Sequence, residues 1–278
     1  MKKLLSILAI TGITLFSGCS GAKGPAIEGG VAVEKETATY KYAAHKSVDG
    51  TTKALADAGF EVVGTYKNDV GTTVLYTSND MKTIANKPNR ALAAVGRVLV
   101  DDTNSRLSIS NPIYFDIAFM QDEYSHTATS ANYNALEKAF GTLADSPDKF
   151  QTDKLANYNF MIGMPYYQEM SIVGEGATAD LLAKAKKSKS FVSSVELDSD
   201  RHLVFVNLEK RTNGFVKKIG TQNAGLLPWG VIIENNQAKA LSAKYYIAIT
   251  YPLLTMGEFM TIATVPGAIE NDLKKVFK

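Results

Sequence analysis

Two similar pairs of apolar segments recur along this chain at a fixed distance. Residues 96–102 and 106–110 are rich in apolar and β-branched residues and are joined by a polar turn, which predicts a β-hairpin. About 134 residues later, residues 230–235 and 239–243 show the same arrangement. The pattern therefore predicts two similar hairpins, one in each half of the chain.

The similarity extends to both sides of these hairpins. Residues 73–77 and 202–206 predict one more strand before each hairpin. Apolar residues at helical spacing predict an early and a closing helix in each half. The early helices are marked by Val48, Thr52 and Leu55, with Phe60 at the exit, and by Leu181, Leu182 and Ala185. The closing helices are marked by Tyr133, Leu136, Ala139 and Phe140, and by Ile269, Leu273, Val276 and Phe277. Ser130 is expected to cap the first closing helix, and Pro266 to lie in the first turn of the second. Four elements in one order predict an internal repeat.

Each repeat is expected to be a β-α-β(4)-α unit, with opening strands at residues 39–44 and 166–173. Helices set apart from a run of antiparallel strands predict an α+β fold, in which helices cover one face of each antiparallel sheet. We expect a first repeat domain at 38–146 and a second at 155–278. A turn-rich linker at 145–156 would join them into an intramolecular pseudo-dimer.

Composition and charge exclude several classes of protein. The chain has 278 residues, of which 45% are hydrophobic and one is cysteine, so a disordered, collagen-like or disulfide-scaffold protein is excluded. The 30 basic residues exceed the 28 acidic ones by two, and Lys2 and Lys3 account for that excess. A nearly neutral body predicts no nucleic-acid partner.

The N-terminus has the pattern of an export signal. Lys2 and Lys3 precede an uncharged apolar run at residues 4–16, which is too short to span a hydrocarbon core of about 30 Å. Residues 16–19, Phe-Ser-Gly-Cys, resemble the lipobox of bacterial lipoproteins, although that family usually has Leu where Phe16 stands. The resemblance implies that residues 1–18 are a signal peptide and that Cys19 is acylated. An ordinary signal peptide with an incidental cysteine is the alternative.

Residues after Cys19 indicate where such a lipoprotein would reside. Ser20 follows the cysteine, and in Gram-negative lipoproteins that this sequence resembles, the absence of Asp there implies sorting to the outer membrane, facing the periplasm. Residues 19–37 are rich in glycine and predict a flexible tether. Membrane contact is therefore expected through the lipid alone.

Short motifs in both halves resemble the domain-of-unknown-function 302 family. In the second half these are residues 224–234, and in the first half residues 57–62 and 110–112. Members of that family are small α+β domains with no established activity. The family's cysteine position is Trp229 here, so a thiol role suspected for relatives does not apply.

No motif for catalysis or for a cofactor stands out in the sequence. The three histidines lack ligand spacing, and nucleophile elbows and phosphate loops are absent. The leading prediction is therefore a non-enzymatic protein with no cofactor and no metal site. Two alternatives stay open: a hydrolase or redox enzyme whose site combines Arg97, Asn111 and Asp116, and a metal carrier using Met164, Met170 and His126.

Two aromatic segments, residues 113–120 and 245–251, follow the second strand of the hairpins. They would either form the core between the repeats or line an apolar groove there, because ligands tend to bind between domains. We expect a small apolar ligand or an envelope partner to bind at this seam. The candidate ligand-binding residues are Tyr114, Phe115, Phe119, Trp229, Tyr246 and Tyr251.

Overall fold

The computed structural model of the chain describes residues 31–278. The predicted signal peptide, the predicted lipidation site Cys19 and the predicted tether as far as residue 30 lie outside the described residues. Glu36 and Thr37, the last two residues of that tether, belong to a β-strand instead. Among the described helices, none has both the length and the apolar character needed to cross a bilayer.

The first half of the described chain contains an antiparallel sheet with strand order β3-β4-β5-β6-β2-β7. Its elements are β1 (Glu36–Ala38), β2 (Tyr40–Ala44), α1 (Val48–Asp57), β3 (Glu61–Lys67), β4 (Thr72–Thr77), α2 (Asn79–Ala85), β5 (Gly96–Asp101), β6 (Arg106–Ser110), α3 (Pro112–Met120), α4 (His126–Phe140), β7 (Ala144–Asp145) and β8 (Lys149–Gln151), with 3₁₀ helices at Ala91–Ala94, Gln121–Glu123 and Thr152–Asn157.

The second half contains an antiparallel sheet with strand order β10-β11-β12-β13-β9. Its elements are β9 (Ser171–Glu175), α5 (Thr178–Lys187), β10 (Phe191–Asp198), β11 (Arg201–Val206), α6 (Lys210–Asn213), α7 (Val216–Ile219), β12 (Trp229–Glu234), β13 (Gln237–Ala240), α8 (Ala243–Thr250), α9 (Met256–Thr261) and α10 (Val265–Val276), with a 3₁₀ helix at Thr221–Leu226.

The protein is therefore an α+β protein with antiparallel sheets, as the sequence predicts. Strands β3, β4, β5, β6 and β2 of the first sheet follow the same order as β10, β11, β12, β13 and β9 of the second. The register agrees at one informative place: Tyr76 lies opposite Gly96, and Phe205 lies opposite Gly230. Duplication of one unit as the origin of this likeness stays a prediction.

The two halves cover each other's sheets. Every residue of β5 and of β12 is buried, so both faces of these central strands need cover. Helix α1 packs on β3, β4 and β5, and α5 packs on the strands of the second sheet. The 3₁₀ helix Thr221–Leu226 contacts β5 and β6, while the 3₁₀ helix Ala91–Ala94 contacts β11 and β12. Each half thus covers the sheet of the other half with the 3₁₀ helix that precedes its own central strand, β5 or β12.

The edges of the two sheets also meet. Edge strands β3 and β10 lie side by side, and each has an irregular register at the same place, between Val62 and Gly64 and between Phe191 and Ser193. A Cβ atom on Gly64 would lie 2.9 Å from the Cβ of Ser193. The glycine therefore permits the close approach of these two edges.

Two local expectations differ from the structure. The second opening strand begins at Ser171 rather than at residue 166, because the backbone NH of Glu169 donates to the carbonyl of Tyr166 and closes a turn there. Helix α4 begins at His126, so its N-cap is Ser125 and not the predicted Ser130. The Ser130 hydroxyl instead accepts a hydrogen bond from the backbone NH of Val31.

The predicted linker forms strands that pair with the N-terminal strands of the first half. Strand β7 pairs with β2, and β8 pairs with β1 to form a two-stranded sheet. The hydroxyls of Thr37 and Thr152 lie 2.7 Å apart, and the hydroxyl of Thr39 donates to the carbonyl of Asp148. The described N-terminal segment is therefore held against the connection between the two halves.

Candidate functional site

A cavity lies at the contact between the two halves. Helix α3, strand β5 and the 3₁₀ helix Ala91–Ala94 supply half of its lining residues, including Leu92, Arg97, Phe115 and Phe119. Tyr40 and Tyr76 come from β2 and β4. Leu226 and Tyr246 close it from the second half. We call this space the seam cavity.

The seam cavity is small. Its volume, measured as the space open to the centre of a water molecule, is about 40 Å³. One water needs roughly 10–15 Å³ by that measure, so the cavity holds a few waters or one small chemical group. Its wall includes Ala93, Pro112 and Asp116, which are only half-buried. A larger ligand would therefore place one end here and extend past these residues.

A glycine positions the tyrosine on one wall. A Cβ atom on Gly96 would lie 2.1 Å from the Cζ atom of Tyr76, so the tyrosine ring crosses the neighbouring strand where a side chain is missing. Phe60 packs edge-on against the other part of this ring, with ring centroids 4.8 Å apart. The ring of Tyr76 is thereby fixed in the cavity wall.

Three of the six predicted ligand-binding residues line the seam cavity. Phe115 and Phe119 come from the first aromatic segment, which forms α3, and Tyr246 comes from the second, which forms α8. The rings of Phe119 and Tyr246 lie 6.3 Å apart between centroids. The structure therefore brings the two aromatic segments together.

The other three predicted residues lie outside the wall of this cavity. The hydroxyl of Tyr114 donates to the carbonyl of Ile249, and that of Tyr251 donates to the carbonyl of Gly220. The indole of Trp229 packs edge-on against the ring of Tyr246, with centroids 4.8 Å apart. Trp229 therefore does not line the cavity but contacts Tyr246, which does.

Arg97 is the positively charged residue in the cavity wall. It is 8% exposed, and its Nη1 donates to the carbonyls of Gly225 and Leu226. Its guanidinium also lies 5.3 Å from the ring centroid of Phe205 and 5.8 Å from that of Tyr246, at the distance of cation–π contacts. Arg97 of the first half therefore reaches into the second half and caps the 3₁₀ helix Thr221–Leu226.

Tyr40 is a wall residue for which the sequence shows no signal. It is 2% exposed, and among the described residues its hydroxyl has no hydrogen-bond partner. Burial raises its pKa well above the ordinary value, and the nearby charge of Arg97 acts in the opposite direction. The hydroxyl is thus neutral and able to donate to a bound group.

Asp116 adds an ionisable group to the same cavity. The residue as a whole is half-buried, but desolvation of its carboxyl group raises the pKa to about 7, and the hydrogen bond donated by Thr129 acts to lower it. Arg97 and Asp116, two residues of the enzyme alternative, therefore line one cavity. Asn111 does not join them, because its amide donates to the carbonyl of Ala38 and its carbonyl oxygen caps α3 through the NH of Ile113.

The metal-carrier alternative finds little support in the geometry. Within residues 31–278, no group of three or more His, Cys, Asp or Glu side chains is placed to hold a metal ion. Both ring nitrogens of His126 have hydrogen-bond partners, the hydroxyl of Tyr124 and the carbonyl of Val31. Met164 and Met170 pack against the hydrophobic core.

The site and fold together define an α+β protein with a small aromatic cavity between two halves. Comparisons with protein-family models, with curated proteins and with solved structures each find no match to this chain. The resemblance to the domain-of-unknown-function 302 family therefore stays a prediction.

Proposed function

We propose that this protein binds a small apolar or amphipathic ligand at the seam between its two halves. The observation that carries the proposal is the seam cavity, whose wall combines Phe115 and Phe119 of one half with Tyr246 of the other. Cavities that bind small molecules are mostly apolar, contain a few polar groups and lie between domains. The seam cavity has each of these properties.

The single tryptophan offers a direct test of ligand binding. Trp229 touches Tyr246, so a ligand against Tyr246 should change the fluorescence of Trp229. We expect 1-hexanol, a small neutral amphiphile, to produce a saturable change in the full-length protein. Ala93→Leu should weaken this binding at least tenfold, because the added side chain fills a cavity of about 40 Å³.

Ala139→Leu is the matched control for this test. Ala139 is a half-buried alanine on α4 that is outside the wall of the seam cavity, so its replacement should leave binding within twofold of the wild type. Isothermal titration would give the stoichiometry, which should be one. The proposal fails if hexanol does not saturate, or if both variants weaken binding equally.

We further propose that the protein is a lipoprotein of the cell envelope, attached to the outer membrane through acylated Cys19 and facing the periplasm. The support is the sequence of residues 1–20.

Cys19→Ser should move the protein from the membrane fraction to the soluble fraction, because a serine hydroxyl does not form the thioether that carries the lipid. Ser17→Ala, which keeps a small residue before the cysteine, is the control and should stay with the membrane. Cys19→Ser in the membrane fraction would contradict the proposal.

The enzyme alternative has weaker support than ligand binding. Arg97 and Asp116 share a cavity, but the side chain of Asn111 is engaged at both ends in holding α3 and β1. An envelope protein as partner is a further alternative to a small ligand.

A further inference from the structure

The seam cavity contains a buried positive charge that no carboxylate pairs with directly, although Asp116 lies in the same wall. Within the described part of the chain, no carboxylate lies within 4.0 Å of the Arg97 guanidinium. Two backbone carbonyls accept from its Nη1, which leaves Nε and Nη2 as further donors. A buried charge is costly unless it is paired, so an anion bound beside Arg97 would be favoured.

A second polar group in the same wall is also unsatisfied. The hydroxyl of Tyr40 is buried and has no partner among residues 31–278, although a buried hydroxyl normally has one. Tyr40 and Arg97 line the same cavity, which has a volume of only about 40 Å³. One bound group could therefore accept hydrogen bonds from both.

The remaining wall limits what the rest of a ligand can be. Phe115, Phe119 and Leu92 present apolar surface, and the volume of about 40 Å³ admits a group of only a few heavy atoms. A planar carboxylate matches the fork of N–H donors on a guanidinium, and charge-assisted hydrogen bonds of this kind are short and strong. An apolar chain attached to it would pack on the phenylalanine rings.

We propose that the ligand of the seam cavity is a carboxylate, whose oxygens accept hydrogen bonds from the Arg97 guanidinium and the Tyr40 hydroxyl while its apolar part packs against Phe115 and Phe119. This inference rests on the proposed function, since it specifies the chemical class of the ligand bound at the same site. The carboxylate could be a free small acid or the head group of a longer fatty acid. Both share the chemistry that the cavity recognises.

Arg97 also has a structural role, which the variants must separate from binding. Its Nη1 caps the 3₁₀ helix Thr221–Leu226, so Arg97→Gln removes a stabilising contact together with the charge. Tyr40→Phe avoids this difficulty, because the hydroxyl that it removes has no partner in the described chain. The second variant should therefore fold like the wild type.

The test compares hexanoate with 1-hexanol, which have the same chain and differ in charge, by Trp229 fluorescence on the full-length protein. We expect hexanoate to bind the wild type at least tenfold more tightly than hexanol. Arg97→Gln should weaken hexanoate binding at least tenfold and Tyr40→Phe about threefold or more. Both variants should lose more affinity for hexanoate than for hexanol, because only hexanoate carries the charge that these two groups recognise.

Acetate distinguishes the two sources of the carboxylate. Competition by acetate against hexanoate would show that a free small acid suffices, whereas hexanoate binding without such competition would show that the apolar chain is needed. Hexanol binding as tightly as hexanoate would overturn the carboxylate inference and leave the proposed function standing. Unchanged hexanoate affinity in Tyr40→Phe and Arg97→Gln would overturn it too. Failure of both ligands to bind would contradict the proposed function itself.

Discussion

Replacing Glu234 with alanine is expected to lower the free energy of unfolding by about 3 kcal/mol, the lower end of the cost of breaking a buried ion pair, because it removes the carboxylate that Arg201 and Lys239 share. Arg201 keeps its contacts with Asp198 and Asn86, and Lys239 keeps its contact with Asn89. Glu234 is 1% exposed, and its carboxylate accepts hydrogen bonds from Nε of Arg201 at 2.6 Å and from Nζ of Lys239 at 2.7 Å. The backbone NH of Asn89 donates to the same carboxylate at 2.8 Å. Asn89 belongs to the first half, so this cluster also holds the halves together.

The matched control is Glu209→Ala. Glu209 also pairs with a lysine, Lys275, at 2.5 Å, but both side chains are more than half exposed. Exposed pairs contribute roughly 0–1 kcal/mol, so this variant should lose no more than that. Urea unfolding would measure both losses, and a loss below about 1 kcal/mol in Glu234→Ala would contradict the interpretation.

Acid should remove the contribution of Glu234. Burial acts to raise its pKa, but the hydrogen bonds from Lys239, Arg201 and Asn89 outweigh it and hold the pKa below the ordinary value of 4.5. A carboxyl group with a lowered folded-state pKa stabilises the protein fully above its unfolded pKa. The stability difference between the wild type and Glu234→Gln should therefore persist from neutral pH to about pH 4.5 and shrink below it.

Replacing Gly96 with alanine is expected to destabilise the protein by about 3 kcal/mol, at the upper end of the usual cost of overpacking. The new Cβ would lie 2.1 Å from Cζ of Tyr76, a ring atom held in place by Phe60. Tyr76 lines the seam cavity, so a displaced ring would occupy part of that space and the variant should also bind hexanol more weakly.

Gly230→Ala is the control, because Gly230 occupies the same register position in the second sheet. Its Cβ would meet the Cδ2 methyl of Leu92 at 2.8 Å and the ring of Phe205 at 3.5 Å. The end of a leucine side chain can shift by a rotamer change, so the loss should be about 1 kcal/mol. Equal losses in the two variants, measured by urea unfolding, would contradict this account of Tyr76.

Most strands could be predicted from the sequence, whereas some helices could not. Hairpin strands β5, β6 and β12 are uninterrupted apolar or alternating runs with polar turns at their ends, which are strong local signals. Helices α3 and α8 are buried on nearly all sides, so they lack the periodic polar face that marks a helix. Their sequences therefore show an aromatic segment without indicating its conformation.

The short strands that involve the linker could not be predicted from the sequence, for a different reason. Strand β8 has three residues and forms by pairing with β1, more than a hundred positions away in the chain. Such strands depend on long-range partners, because intrinsic strand preference is weak and depends on context. The sequence showed the turn-forming residues of the linker but not the strands β1 and β2 with which the linker pairs.

The candidate site was predicted in part. The aromatic character of both segments indicated that they meet, and Phe115, Phe119 and Tyr246 do so. One signal for Arg97 was present, since it is the single charged residue in the apolar run of β5 before Asp101. Tyr40 could not be identified as a site residue from the sequence, because its hydroxyl is left without a partner by the packing of the two halves of the described chain.

The meeting of β3 and β10 has a consequence for behaviour at high concentration. An open sheet edge is a template on which a second chain can add a strand, and this is a common start of aggregation. Here two edges shield one another, and their bulges at Gly64 and Ser193 interrupt the regular spacing that an incoming strand would copy. Such shielding would suit the membrane attachment that we propose, because copies held on one surface collide often.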